Sequence, residues 1–208
     1  MTHEVLGTLR LVVLAVCSVV IPSMNPVKAA EEYETAEYKV IESAGQMEIR
    51  EYPDLMLAAT TTKLDSPDSG GSFLMLFRYI SGANESKQKI SMTTPVFMEG
   101  QKDGESVQMG FIMPKKVTAQ GVPKPTIGQV KVRKRPGGRF ATVRFSGMMT
   151  QESVEEAETK LRDWMKSKGL IPDDSADGDG IETAVYDSPF TPGAERRNEL
   201  LIRLKPTK

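Results

Sequence analysis

The chain has 208 residues, with 27 Lys and Arg against 28 Asp and Glu, a net charge of −1 and 39% apolar residues. This balance excludes a basic nucleic-acid footprint, and the length supports one domain with a substantial core. The single histidine, His3, and the single cysteine, Cys17, both lie in the first 30 residues. The remainder therefore has no imidazole or thiol for a Ser-His-Asp triad, a cysteine nucleophile, a typical zinc site or a disulfide framework.

Residues 1–30 read as an export signal peptide. Arg10 precedes an apolar run from Leu11 to Ile21, and Val27 and Ala29 have the spacing of small residues before a cleavage site. The run is short for a membrane span. A retained N-terminal anchor is the alternative, and membrane contact is otherwise not expected. Residues 31–208 are expected to form a single exported domain, periplasmic or extracellular.

Tyr38 to Tyr52 predicts a β-hairpin around Ser43-Ala44-Gly45, and Leu55 to Leu64 predicts a strand. Ser66 to Gly71 is a turn and helix-start signal. Ser72 to Ile80 (SFLMLFRYI) predicts a short helix ended by Gly82. Phe73, Leu76, Phe77 and Ile80 form one stripe of it, while Leu74 and Met75 point elsewhere. Apolar surface beyond one core face marks a ligand site or partner contact, or a helix sandwiched within the fold. Ile90 to Met98 and Val107 to Met113 predict a second hairpin. Pro114 to Gly128 reads as extended over the surface. Val130 to Arg135 and Phe140 to Phe145 predict strands across a Pro136-Gly137-Gly138 turn, with Lys131, Arg133 and Arg135 as a solvated basic face. Val154, Ala157, Leu161, Trp164 and Met165 predict a helix over Glu152 to Lys168, capped by Gly169. Pro172 to Gly180 reads as a loop. Glu182 to Tyr186 and Leu200 to Leu204 close the chain as strands. Strands, helix and hairpin thus occur twice, which predicts an α+β domain with two helices against one antiparallel β-structure.

Several motifs occur in a recognisable order. They are the helix ending Tyr79-Ile80-Ser81-Gly82-Ala83-Asn84, then Met92-Thr93-Thr94-Pro95-Val96, Met113-Pro114 with Pro123 and Pro125, Phe145-Ser146-Gly147 and Arg196-Arg197-Asn198-Glu199, with Tyr52-Pro53 before them. In this order they resemble the SOUL/haem-binding protein family over about Tyr38 to Lys205. The resemblance implies a twisted antiparallel β-barrel with two flanking helices, built as two pseudo-symmetric β-α-β-β halves. It implies a non-enzymatic, reversible binder of haem or a related tetrapyrrole. It places the ligand against the first helix, at Phe73, Leu74 and Phe77 with Arg78 facing a propionate, and against the loop Ser188 to Pro192, at Pro189 and Phe190. Some members have lysine where this chain has Thr191. The histidine proposed as axial ligand in some members has no counterpart here, so an iron ligand would be Met, Tyr or water.

Other residues carry alternatives. Glu199 is the candidate base of a hydrolase acting on small apolar molecules, or an ion-pair partner of Arg196 or Arg197. The first-helix surface is a candidate protein-interaction site. Met75, Met92, Met98, Met109 and Met113 are candidate core fillers or iron ligands, and Tyr79 a phenolate ligand or a half-buried tyrosine. Asp173-x-Ser175-x-Asp177-Gly178 mimics a calcium loop but has Ala184 at its twelfth position. Asn84-Glu85-Ser86 is a glycosylation sequon.

Overall fold

The computed structural model describes residues 33–63, 69–100, 106–173, 180–188 and 190–206. The export signal, residues 66–68 of the helix-start turn, residues 174–179 of the calcium-like loop and Pro189 lie outside the described residues. Tyr33–Lys208 forms one compact unit.

Eleven strands are described: β1 (Glu34–Thr35), β2 (Lys39–Ala44), β3 (Met47–Tyr52), β4 (Leu55–Lys63), β5 (Thr93–Thr94), β6 (Val96–Gly100), β7 (Ser106–Ile112), β8 (Lys131–Arg135), β9 (Gly138–Phe145), β10 (Ile181–Val185) and β11 (Asn198–Arg203). Three α-helices accompany them: α1 (Ser69–Ile80), α2 (Lys115–Gln120) and α3 (Gln151–Ser167). Nine strands form one curled antiparallel sheet, a half-barrel in the order β2-β3-β9-β11-β10-β6-β7-β4-β8. The expected α+β class and two-half architecture hold. The halves are β3-β4-α1-β6-β7 and β8-β9-α3-β10-β11, and β6 pairs with β10 where they meet.

The predicted hairpin of β2 and β3 forms across Gly45, whose φ of 63° is the left-handed conformation that glycine tolerates. The Pro136-Gly137-Gly138 turn does not join a hairpin. β8 pairs with β4, and β9 pairs with β3 and β11. The turn is a crossover that runs against the corner between β3 and β4. A Cβ at Gly137 would lie 2.5 Å from the Tyr52 carbonyl oxygen, so only glycine allows this approach. The sequence shows a turn signal there, but the choice of partner strand is made by residues some eighty positions away.

Two further segments differ from expectation. Pro114 to Gly128 is not wholly extended. Pro114 precedes the first turn of α2, Val117 is buried, and Gly121 at φ 95° ends it. Proline is suited to a helix start because it has no N–H to leave unpaired. Only Thr93 and Thr94 of the stretch before Pro95 form a strand, pairing with β1, and β6 begins at Val96.

The helices cover opposite halves of the sheet's outer surface. α3 buries Ala157, Leu161 and Met165 against Ile49, Ala141, Val143, Leu200 and Ile202. Its first turn is fixed by reciprocal bonds: the Ser153 amide donates to Thr150 Oγ1 at 3.2 Å, and the Thr150 amide donates to Ser153 Oγ at 2.9 Å. Its last turn closes with Leu170 N–H bonded to the Met165 carbonyl and Gly169 at φ 65°. α1 buries Leu76, Tyr79 and Ile80 against Ala58, Ile90 and Phe111, with Met56, Met75, Met92 and Met109 packed around them and Met113 buried. Those methionines fill the core, as expected of unbranched side chains beneath a tilted helix.

The end of α1 depends on Asn84. Its side-chain amide donates to the carbonyls of Tyr79 at 3.1 Å and Gln88 at 2.8 Å, and its oxygen accepts from the Gln88 amide at 3.0 Å. Asn84 is buried, so the sequon has no free amide to carry a glycan. Asn84→Ala is expected to cost about 1–3 kcal/mol, since it removes three hydrogen bonds made by a buried side chain at the end of α1. Urea unfolding of the variant tests this, and a midpoint equal to that of the parent would refute it.

Candidate functional site

The inner face of α1 is Ser72, Leu76, Tyr79 and Ile80, and its outer face is Phe73, Leu74, Phe77 and Arg78. The expected stripe of Phe73, Leu76, Phe77 and Ile80 is therefore split. Periodicity alone does not phase a helix whose positions 73 to 77 are all apolar. Phe73, Leu74 and Phe77 are 37%, 56% and 48% exposed. The rings of Phe73 and Phe77 stack at 6.3 Å with only 12° between their planes. Phe73 is held from below by Phe111, edge-on at 5.2 Å. The result is a pair of exposed, near-parallel rings anchored to the core through one buried ring. Leu74 and Arg78 are one helical turn apart and flank it. Arg78 is exposed and makes no ion pair among the described residues. A surface of this kind fits a planar apolar ring system bearing a carboxylate, through contact area and a charge-assisted hydrogen bond.

The second predicted element is not joined to it. Phe190 is 95% exposed. Its loop is held by Thr191 N–H on the Ser188 carbonyl and by Arg196 Nε on the Thr191 carbonyl at 2.8 Å. The following turn bonds back to Gly147. Among the described residues no ring contact or hydrogen bond links Phe190 to α1. Tyr79 is buried, and its hydroxyl donates to the Pro123 carbonyl at 2.8 Å. Burial pushes its pKa up to about 12. It has neither the exposure nor the acidity of a phenolate ligand.

Glu199 lies on the other side of the sheet, in the concave interior, with no exposed surface. Strand alternation puts Glu199 and Leu201 on the same inward face. The carboxylate accepts from Arg50 Nη1 at 2.6 Å and Nη2 at 3.0 Å, from Arg197 Nε at 3.0 Å and Nη2 at 2.7 Å, and from the Tyr186 hydroxyl at 2.9 Å. Burial alone would raise its pKa, but the hydrogen bonds and charges of Arg50 and Arg197 hold it below the ordinary carboxylate value. The two arginines lie over tyrosine rings, Arg50 on Tyr38 at 4.2 Å and Arg197 on Tyr186 at 3.8 Å. A carboxylate with both oxygens engaged and its proton affinity lowered is poorly suited to general-base work. It is the hub of an ion-pair network. Arg197, and not Arg196, is its neighbour-in-sequence partner, and Arg50 was not visible as a partner from the sequence.

The supposed solvated face of β8 is also different. Arg135 is buried among Tyr52, Phe97 and Phe140, 4.5 to 5.1 Å from their ring centres. It bonds Glu182 through Nε at 2.8 Å and Nη2 at 2.6 Å. A curled sheet turns one strand face inward, and a guanidinium flattened between rings is tolerated there because its charge is met by Glu182. The described residues contain no group of three or more His, Cys, Asp or Glu placed to hold a metal ion.

A family model described as SOUL heme-binding protein matches residues 33–203. Human Heme-binding protein 2 is 28% identical over 193 residues, 86% of this chain and 91% of that protein. Among solved structures, a hydrolase from Listeria innocua is similar with a TM-score of 0.57 at 11% identity, over 79% of this chain and 94% of that one. The EcmrR C-terminal domain is similar with a TM-score of 0.56 at 14% identity, over 78% and 98%. At these identities the structural likeness concerns the fold alone.

Proposed function

The chain belongs to the SOUL heme-binding protein family, and from that premise we propose that it is an exported, non-enzymatic carrier that holds haem reversibly against the outer face of α1. The observation that carries this reading is the solvent-facing stack of Phe73 and Phe77, flanked by Leu74 and an Arg78 without an ion-pair partner among the described residues. Contact between the stacked rings and the macrocycle supplies affinity, and Arg78 pairs with a propionate. Phe190, wholly solvated in its loop, completes the contact when ligand is present. Residues 33–208 contain neither His nor Cys, and Tyr79 is committed to the Pro123 carbonyl. With residues 1–30 removed as an export signal, an iron bound on this face would have neither a histidine nor a cysteine to ligate it.

Hemin titration followed in the Soret band and by quenching of Trp164 fluorescence tests the proposal. Saturable changes at micromolar hemin are expected, with affinity flat across the imidazole range near about pH 6.5. Phe77→Asp should weaken binding tenfold or more, about 1.4 kcal/mol, while leaving the unfolding midpoint in place because Phe77 is on the outer face. Arg78→Glu should also weaken it. An absence of saturable change would dismiss haem binding, and unaltered affinity in both variants would dismiss this site.

A further inference from the structure

Two of the basic residues of β8, Lys131 and Arg133, line a cavity of about 440 Å³. β8 pairs with β4 only as far as Ala59, where it meets Lys131, while β4 continues to Lys63 along β7. Past Ala59 the chain of β8 has turned away through Gly128 and Gln129, and this leaves a notch at the end of the sheet. Thr60, Thr61, Gln108, Gln129, Lys131 and Arg133 line it.

Lys131 is exposed and makes no ion pair among the described residues. Arg133 gives Nη2 to Glu99 at 2.6 Å, but its Nε is buried and has no hydrogen-bond partner among the described residues. A buried donor without a partner is uncommon in folded proteins and marks a place where another group belongs. The notch therefore combines two cations, of which Arg133 is only half used, with two carboxamides and the Thr61 hydroxyl, which accepts from Gln108 Nε2 at 3.3 Å. Among the described residues the carboxylate beside it, Glu99, is already paired with Arg133.

We propose that this notch binds a small anion bearing hydroxyl groups, of the class of polyol phosphate monoesters. The anionic group pairs with Lys131 and the free edge of Arg133, and the hydroxyls exchange hydrogen bonds with Gln108, Gln129 and Thr61. Charge-assisted bonds to a guanidinium and an ammonium favour a phosphate over a neutral polyol. The site is separate from the aromatic face of α1, and its occupancy does not depend on haem.

The test is an NMR titration of the full chain with glycerol 3-phosphate, with inorganic phosphate and glycerol as parallel arms. Saturable shifts are expected at the amides of Thr60, Thr61, Gln108 and Gln129 to Arg133, with glycerol 3-phosphate bound more tightly than either control. Lys131→Ala changes an exposed residue and should weaken binding at least fivefold. Arg133→Lys retains the charge opposite Glu99 but removes Nε, and should weaken it similarly. Both variants should titrate hemin as the parent does, so failure here is distinguishable from failure of haem binding. No saturable shift, shifts unaltered in both variants, or equal binding of glycerol would overturn the proposal. Equal binding of inorganic phosphate would overturn the assignment of the hydroxyl contacts.

Discussion

Glu199→Ala is expected to cost roughly 3–5 kcal/mol, enough to unfold much of the protein at physiological temperature. The loss comes less from the missing contact than from what it leaves behind. Arg50 and Arg197 would remain in the concave interior as charges without a counter-ion. Burial by itself depresses the basicity of both guanidiniums, and Glu199 reverses this. The same hub predicts a pH dependence. The folded-state pKa of Glu199 is lowered, so its contribution is fully present above the unfolded carboxylate value near about 4.3 and is lost as pH falls through the lower folded value. Thermal unfolding of the parent and of Glu199→Gln should therefore converge at acid pH and diverge toward neutrality. A constant difference across that range would refute the assignment. Hemin affinity of any folded fraction should be unchanged, because the hub faces the opposite side of the sheet from Phe77.

Arg135→Met is the second large effect, and its pH dependence runs the other way. Glu182 lies against Arg135, and burial raises its pKa despite that neighbour. An acid whose folded pKa is raised contributes most below its unfolded value and loses that contribution as pH rises through the folded value. Removing Arg135 removes the charge that opposes the rise, so Arg135→Met should lose about 3–5 kcal/mol near neutrality and recover part of it as pH falls. The double variant Arg135→Met with Glu182→Leu should regain most of the loss, because an apolar pair fits the cage of Tyr52, Phe97 and Phe140 without desolvating a charge. Chemical denaturation of the parent, Arg135→Met and the double variant over a pH series measures all of this. A double variant no more stable than Arg135→Met would show that the ion pair has a role the rings cannot replace.

These two clusters also show where the sequence is readable and where it is not. α3 is legible because Ala157, Leu161 and Met165 recur on one face amid polar residues. α1 is legible as a helix but not in its orientation, since five consecutive apolar positions fit several phases. The two-half architecture follows from element order. The buried charges do not, because Glu48 and Arg50 on β3, or Arg133 and Arg135 on β8, have the alternation of a solvated strand face. Only the curl of the sheet turns that face inward, and curl is a property of all nine strands. One signal was available: Glu199 stands beside the apolar run Leu200-Leu201-Ile202, and a lone carboxylate there implies a buried counter-charge. Its partner Arg50, 149 residues away, could not be named without the register of β3 on β9 and β9 on β11. The candidate ligand positions on α1 follow from the resemblance, and their exposure follows from the structure.

The crossover at Gly137 has a consequence for how the chain can be divided. β3 enters with the first half yet pairs across to β9, and β8 enters with the second yet pairs only with β4. Each half thus lends its opening strand to the other. A fragment ending before Lys131 would leave the β8 edge of β4 bare, and a fragment beginning there would lack β3, one of the two neighbours of β9. Neither piece can close its own sheet, but two complementary pieces present matching vacancies, as partners in an exchange of strands do. The single chain is in this sense an internal dimer, and the lent strands tie one helix-covered core to the other.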